Sequence, residues 1–376
     1  MIIREYSLGQ MPGYPFEHDY DISRIAFFDI ETTGFAADSS YLYLIGAAYY
    51  KDNSFHLIQW FSEGIREEAL IISSFFEFLK AYDVLFHYNG STFDIPYLQR
   101  KISMLQLDCT FGSIQSFDIY KKLLPYKKIF KLDSLKLKSL EIFLHIRRQD
   151  TFSGGDLIQV YQSYLGRKKY ETLWQSRNPG QSLPLPAEAD NLLGQILLHN
   201  ADDIRGLLLI SPVLYYTDIF EKSFRILQAE VDGGLLHIRL QIAADLPVPV
   251  SYGNDLVHLA ASGDTATLSV HIYEGELKYF YENYKDYYYL PAEDYAIHKS
   301  VAGFVDKDYR VKAKPATCYT RKQGIFAPQY EPLISPYFKL NHQDKLSFLE
   351  IHTDFLLQEE KLEQYAAHLL AKIIAG

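Results

Sequence analysis

Apolar and polar positions change period several times along the chain, and the changes mark out its elements. Arg24–Ile30, Tyr43–Tyr50 and Ser54–Phe61 are short apolar-rich runs and read as three strands of an antiparallel start. Glu67–Ala81 carries apolar residues at helical spacing, and Val84–His87 returns to the strand pattern. Asp94–Ser103, Ser134–Leu144, Asp156–Leu165 and Glu188–Ile210 read as helices. Gln175–Pro186, with three prolines among polar residues, reads as a surface loop. A meander followed by strand–helix crossovers predicts an α/β domain over residues 1–215, with a mixed sheet flanked by helices.

The pattern changes near Phe224. Leu235–Ala243 and Thr267–Tyr273 alternate as strands do, and Leu277–Leu290 is dense in aromatics. Short strands are expected between Ser300 and Tyr319, then a proline-punctuated stretch to about Pro336. Phe355–Ala375 reads as one amphipathic helix with Leu356, Leu362, Tyr365, Leu369 and Ile373 on one side. Residues 224–376 therefore form a smaller β-rich α+β domain closing with a helix, and no function can be read from it. Its tyrosines at 279, 281, 284 and 287–289, with Phe280, offer either sheet packing or stacking platforms for bases.

Three segments carry candidate chemistry. In Phe28-Asp29-Ile30-Glu31-Thr32-Thr33-Gly34 the two acids lie two apart on a strand, so they share a face. Like charges side by side need a cation unless they are solvated at a strand end, and an oxygen-only donor set suits Mg²⁺ or Mn²⁺. In His87-Tyr88-Asn89-Gly90-Ser91-Thr92-Phe93-Asp94, a turn leads to an acid at a helix start, which is either a functional group or a cap. In His199-Asn200-Ala201-Asp202-Asp203, His199 and Asp203 are four apart on one helical face. Taken alone, that pair is a side-chain hydrogen bond. Asp202 points about a hundred degrees away and reads as a solvated neighbour.

Taken together and in this order, the three segments resemble the exonuclease motifs of the DEDD superfamily, the DnaQ-like 3′–5′ exonucleases with an RNase H-like fold. The nearest resemblance is to the YprB-like group, and it runs from about residue 20 to 212, taking in Leu135–Leu140 and Ser153-Gly154-Gly155. It implies a metal-dependent nuclease that acts on single-stranded DNA or RNA. Asp29, Glu31, Asp94 and Asp203 would hold two ions, Mg²⁺ or Mn²⁺, with Asp29 bridging both. The chain departs from the family in one respect. The family places a His five residues, or a Tyr four residues, before the last Asp; here His199 stands four before Asp203. His199 is thus a candidate to orient or deprotonate the attacking water, with Asn200 as the other. Asp118 reads as a helix cap or a neighbour of the site, and Phe93 as core packing.

Charge first argues against a nucleic-acid partner, because the formal net charge is −10. Its distribution reverses the argument: between Arg100 and Lys169 there are 14 Lys and Arg against six acids. Lys121, Lys122, Lys127, Lys128, Arg147 and Arg148, with Thr32 and Asn89, are the candidate nucleic-acid contacts. Seven further basic residues lie between Lys299 and Lys322. Only Cys109 and Cys318 are present, which predicts neither a zinc ribbon nor a disulfide framework. No apolar run reaches membrane-span length and no secretory leader opens the chain, so the expectation is a cytoplasmic enzyme. Two other classes remain open: a non-catalytic nucleic-acid-binding module of the same fold, and an accessory factor that recruits a protein partner through the second domain.

Overall fold

The computed structural model describes residues 1–375, apart from 12, 113, 150, 151, 153 and 182–187. The chain forms two compact units: Met1–Lys127 with Leu132–Leu214, and Lys128–Lys131 with Tyr215–Gly376.

The first unit is built on a six-stranded mixed sheet. Its strands are β1 (Ile2–Gly9), β2 (Ile25–Thr32), β3 (Leu42–Lys51), β4 (Ser54–Phe61), β5 (Val84–His87) and β6 (Gln115–Asp118), in the spatial order β1-β4-β3-β2-β5-β6. The β1–β4–β3–β2 pairs are antiparallel, as the meander predicts, whereas β5 and β6 continue beside β2 in parallel. The helices are α1 (Glu68–Leu79), α2 (Asp94–Leu105), α3 (Ile119–Leu123), α4 (Lys127–Phe130, shared with the second unit), α5 (Leu137–Phe143), α6 (Gly154–Arg177) and α7 (Glu188–Leu209). Strand β2 is central and buried on both faces, so its sequence reads as a nearly continuous apolar run rather than an alternation. Ala26, Phe28 and Ile30 pack with Trp60, Ile71, Phe75 and Leu98 under α1 and α2. On the opposite face Tyr43 and Phe61 pack with Tyr161, Tyr164, Leu193 and Ile196 of α6 and α7. The result is a three-layer α/β sandwich.

Several elements differ from the sequence reading. Strand β1 was not expected, because an edge strand with five consecutive exposed residues lacks the apolar pattern. The helix expected over Ser134–Leu144 is confined to Leu137–Phe143. Helix α6 continues to Arg177, so residues 175–177 of the expected loop are helical, while 182–186 lie outside the described residues. Likewise Ser153 of the Ser-Gly-Gly stretch lies outside them, and Gly154 and Gly155 open α6.

In the second unit, α8 (Tyr215–Glu221) leads into a sheet of β7 (Phe224–Asp232), β8 (Leu235–Gly253) and β9 (Val257–His271). The alternation read at Leu235–Ala243 continues to Val250. Pairing of β8 with β9 is interrupted between Gln241 and Val250, and that irregular stretch contains Pro247 and Pro249. A second sheet has the order β10 (Tyr273–Phe280), β14 (Tyr319–Gln329), β16 (Ser347–Glu350) and β15 (Tyr337–Phe338). A third contains β12 (Tyr295–His298), β11 (Tyr287–Leu290) and β13 (Val311–Lys312). The stretch expected to hold short strands between Ser300 and Tyr319 is mostly helical turns around α9 (Lys299–Ala302), with β13 alone as strand. The closing helix is likewise broken in two, α10 (Thr353–Leu356) and α11 (Glu359–Ala375). Tyr281 and Tyr287 stack at 4.4 Å beside buried Cys318, so these aromatics serve packing. Both cysteines are free thiols.

Candidate metal-binding active site

The alternation of β2 that sends Ala26, Phe28 and Ile30 under α1 and α2 turns Asp29 and Glu31 toward α7. Helix α7 can lie close because Gly46, the β3 partner of Asp29, has no side chain. A Cβ there would sit 2.0 Å from Asn200 Oδ1. His199, Asn200 and Asp203 share the face that α7 presents. Asn200 Nδ2 donates to Asp29 Oδ2 at 3.2 Å, and Asn200 Oδ1 accepts from Gln59 Nε2 at 2.9 Å. Gln59 also donates to the Leu197 carbonyl at 2.9 Å, which fixes the amide. His199 Nε2 lies 3.6 Å from Glu31 Oε1 and 3.4 Å from Asp203 Oδ2. One donor atom each from Glu31, His199 and Asp203 falls within 4.8 Å of the others, close enough to hold one metal ion.

Asp94 joins from the start of α2, where it is buried. Burial, and after it the charges of Asp203, Asp94 and Glu31, push the Asp29 carboxyl far above the usual carboxylate range, against the hydrogen bond from Asn200. Burial also pushes Asp94 up to about 7, opposed by two backbone hydrogen bonds and reinforced by the charges of Asp118 and Asp203. Carboxylates that raise one another's proton affinity in this way are short of a cation, and carboxylate oxygens with one imidazole nitrogen can bind a divalent metal. The side chains therefore fit such an ion.

The turn before Asp94 is held from behind. Asp118 accepts the backbone N–H groups of Asn89 at 2.9 Å and Ser91 at 3.2 Å, together with the Ser91 hydroxyl. It also caps α3 through the Lys121 N–H, the capping role expected of it. His87 is buried; Nδ1 accepts the Gly90 N–H at 3.1 Å, and Nε2 lies 2.7 Å from Ser116 Oγ. Burial lowers its pKa to about 4 even with Asp118 close by, so the ring is neutral at ordinary pH. Asn89 has φ +59° and its Oδ1 accepts the Thr92 hydroxyl at 2.8 Å. Its side chain thus shapes the turn before Asp94. Phe93 packs against the core as expected.

The remaining candidates divide. Lys121, Lys127 and Arg147 are exposed, Lys122 is half-buried, and Lys128 belongs to the second unit. Thr32 donates to the Gly34 carbonyl at 2.9 Å. Arg148 is engaged by Glu141 and Asp203, each at 2.6 Å. Asp202 is a correction: it is buried, and its Oδ2 accepts the Gln149 N–H at 2.8 Å. The sequence reading passed over Gln59, Glu141 and Tyr43. Gln59 had a signal, being polar between Ile58 and Trp60 in an apolar strand. The fully buried Tyr43 phenol is pushed far above its usual range by burial, then by the charge of Glu31, and stays protonated.

A sequence profile of the RNase_H superfamily matches residues 26–215, and the chain belongs to that superfamily. That membership supports a nuclease that hydrolyses nucleic acid. No curated protein matches the chain. Among solved structures it is similar to the family B DNA polymerase from the hyperthermophilic archaeon Pyrobaculum calidifontis, with 12% identity and a TM-score of 0.37. That match covers 76% of this chain and 39% of the polymerase, so the chain spans well under half of the polymerase's length. It is also similar to a chain of an ExoI/SSB-Ct complex, with 10% identity, a TM-score of 0.27 and coverage of 93% and 73% respectively. At these scores the family rests on the superfamily match alone. Among the described residues no helix is long and apolar enough to cross a membrane.

Proposed function

We propose that this chain is a metal-dependent 3′–5′ exonuclease on single-stranded DNA or RNA, of the DEDD (DnaQ-like) group and nearest its YprB-like members. The observation that carries the proposal is the convergence of Glu31, His199 and Asp203 within 4.8 Å, beside half-buried Asp29 and buried Asp94. Asp29, Glu31, Asp94 and Asp203 hold two divalent ions, Mg²⁺ or Mn²⁺, which when bound polarise the scissile phosphodiester. In this reading His199 is not itself a ligand: oriented between Glu31 and Asp203, it accepts the proton of the attacking water. Asn200, braced by Gln59, aims the Asp29 carboxylate. Lys121, Lys127 and Arg147, all exposed, attract the phosphate backbone.

The test uses 5′-labelled single-stranded DNA and RNA with Mg²⁺ or Mn²⁺. A ladder shortening from the 3′ end is expected for the parent. It should vanish with EDTA and in Asp29→Asn and Asp94→Asn. Internal cuts would retain the nuclease and remove the exonuclease. Tight binding by a well-folded parent without turnover would assign the non-catalytic module instead.

A further inference from the structure

Helix α5 and the turn behind it bring a cation to the rear of the acid cluster. Arg148 Nη1 lies 2.6 Å from Asp203 Oδ1, and Arg148 Nε lies 2.6 Å from Glu141 Oε2. The guanidinium side chain is only 12% exposed and that of Glu141 3%, so this is not a solvent-screened surface pair. Gly206, three residues past Asp203 on α7, leaves the space it needs. A Cβ at that position would lie 2.3 Å from Glu141 Oε1 and 3.6 Å from Arg148 Nη2. The turn carrying Arg148 is pinned on both sides. The Gln149 N–H is bound by Asp202 of α7 at 2.8 Å, and the Ile146 N–H by the Glu141 carbonyl of α5 at 2.8 Å.

The two oxygens of Asp203 consequently have different surroundings. Oδ1 is engaged by the guanidinium, while Oδ2 is turned to His199 at 3.4 Å, on the side of Glu31. We propose that Arg148, held by Glu141, is a positioning residue that makes Asp203 a one-oxygen metal ligand and offsets one negative charge of the cluster, so that the acids stay assembled before the ion enters. This rests on reading the cluster as a metal site. It gives Arg148 a role other than the phosphate contact that its place in a basic run implies. The guanidinium hydrogen-bonds Glu141 through Nε and pairs by charge with Asp203 through Nη1, two contacts that a single lysine ammonium makes only in part.

The experiment is a Mn²⁺ titration of the full chain without nucleic acid, followed by the electron paramagnetic resonance of free Mn²⁺. Partners one layer behind a metal ligand typically change affinity by about 10–100-fold, and that weakening is expected for Arg148→Gln. The double variant Glu141→Gln/Arg148→Gln leaves no unpaired buried carboxylate at Glu141, so it guards against loss of fold, and it should weaken Mn²⁺ to the same extent. Arg148→Lys should recover part of the affinity. Unchanged Mn²⁺ affinity in both Gln variants, alongside weakened binding in Asp203→Asn, would overturn the inference and leave the metal site standing. If the same variants then bound single strands more weakly, Arg148 would be a phosphate contact. Undiminished affinity in Asp203→Asn as well would remove the metal-site reading and the inference with it.

Discussion

A carboxylate buried among other carboxylates holds its proton more tightly than one in water, and Asp94 shows the consequence. Its folded-state pKa of about 7 stands above the ordinary value near 4 of the unfolded chain. Between those values the folded protein keeps a proton that the unfolded chain has released. Its stability therefore falls as pH rises through that window. Metal-free protein should melt higher at about pH 5 than at about pH 8, and Asp94→Asn should raise the melting temperature at the higher pH and flatten the slope. An Asn variant with the parent's slope would show that Asp94 does not titrate there. At this scale the sequence told much about the acids and little about their neighbours. Two-residue spacing was enough to pair Asp29 with Glu31, because strand geometry is local. Asp202 was misjudged because a helical wheel knows nothing of the turn at Gln149 that covers it. The partnership of Arg148 with Asp203 was equally hidden, since it depends on a glycine 58 residues further along the chain.

Among the elements, α7 decides the geometry of the site. It buries Leu193 and Ile196 against the sheet and, from the same face, presents His199, Asn200 and Asp203 to β2. That face was legible from its spacing; how closely it approaches β3 was not. The approach depends on Gly46, where a methyl group would have to displace the Asn200 amide. Overpacking of this kind typically costs about 1–3 kcal/mol. Gly46→Ala should therefore lose about that much stability in urea melts, and should lose activity beyond what the melting curve explains, because Asn200 no longer aims Asp29. A variant with parental stability and rate would show that α7 has slack at this crossing. The edge strand β1 escaped the sequence reading for a related reason: its backbone pairing with β4 is satisfied whatever its exposed side chains are.

For the whole molecule the question is how a chain of net charge −10 can bind a polyanion. The basic surplus between Arg100 and Lys169 is smaller in the folded protein than along the chain. Lys101 is buried against Glu68, Arg100 pairs with Asp38, Arg148 with Asp203 and Glu141, Arg167 with Glu171 and Glu188, and Lys168 with Glu63. Sequence counting cannot separate a lysine that neutralises an internal acid from one facing solvent, so it overstated the track. Lys121, Lys127 and Arg147 are three that remain exposed in the first unit. Each phosphate contact on a single strand contributes about 0.7 to the slope of log affinity against log salt. Changing all three to Gln should therefore weaken single-strand binding roughly equally across sequences and lower the slope by about 2. Binding measured by fluorescence anisotropy over a series of salt concentrations checks this, in an Asp94→Asn background that the proposed site predicts will not cleave. A slope unchanged by the three substitutions would move the backbone track away from Lys121, Lys127 and Arg147, and these three would then serve solubility alone.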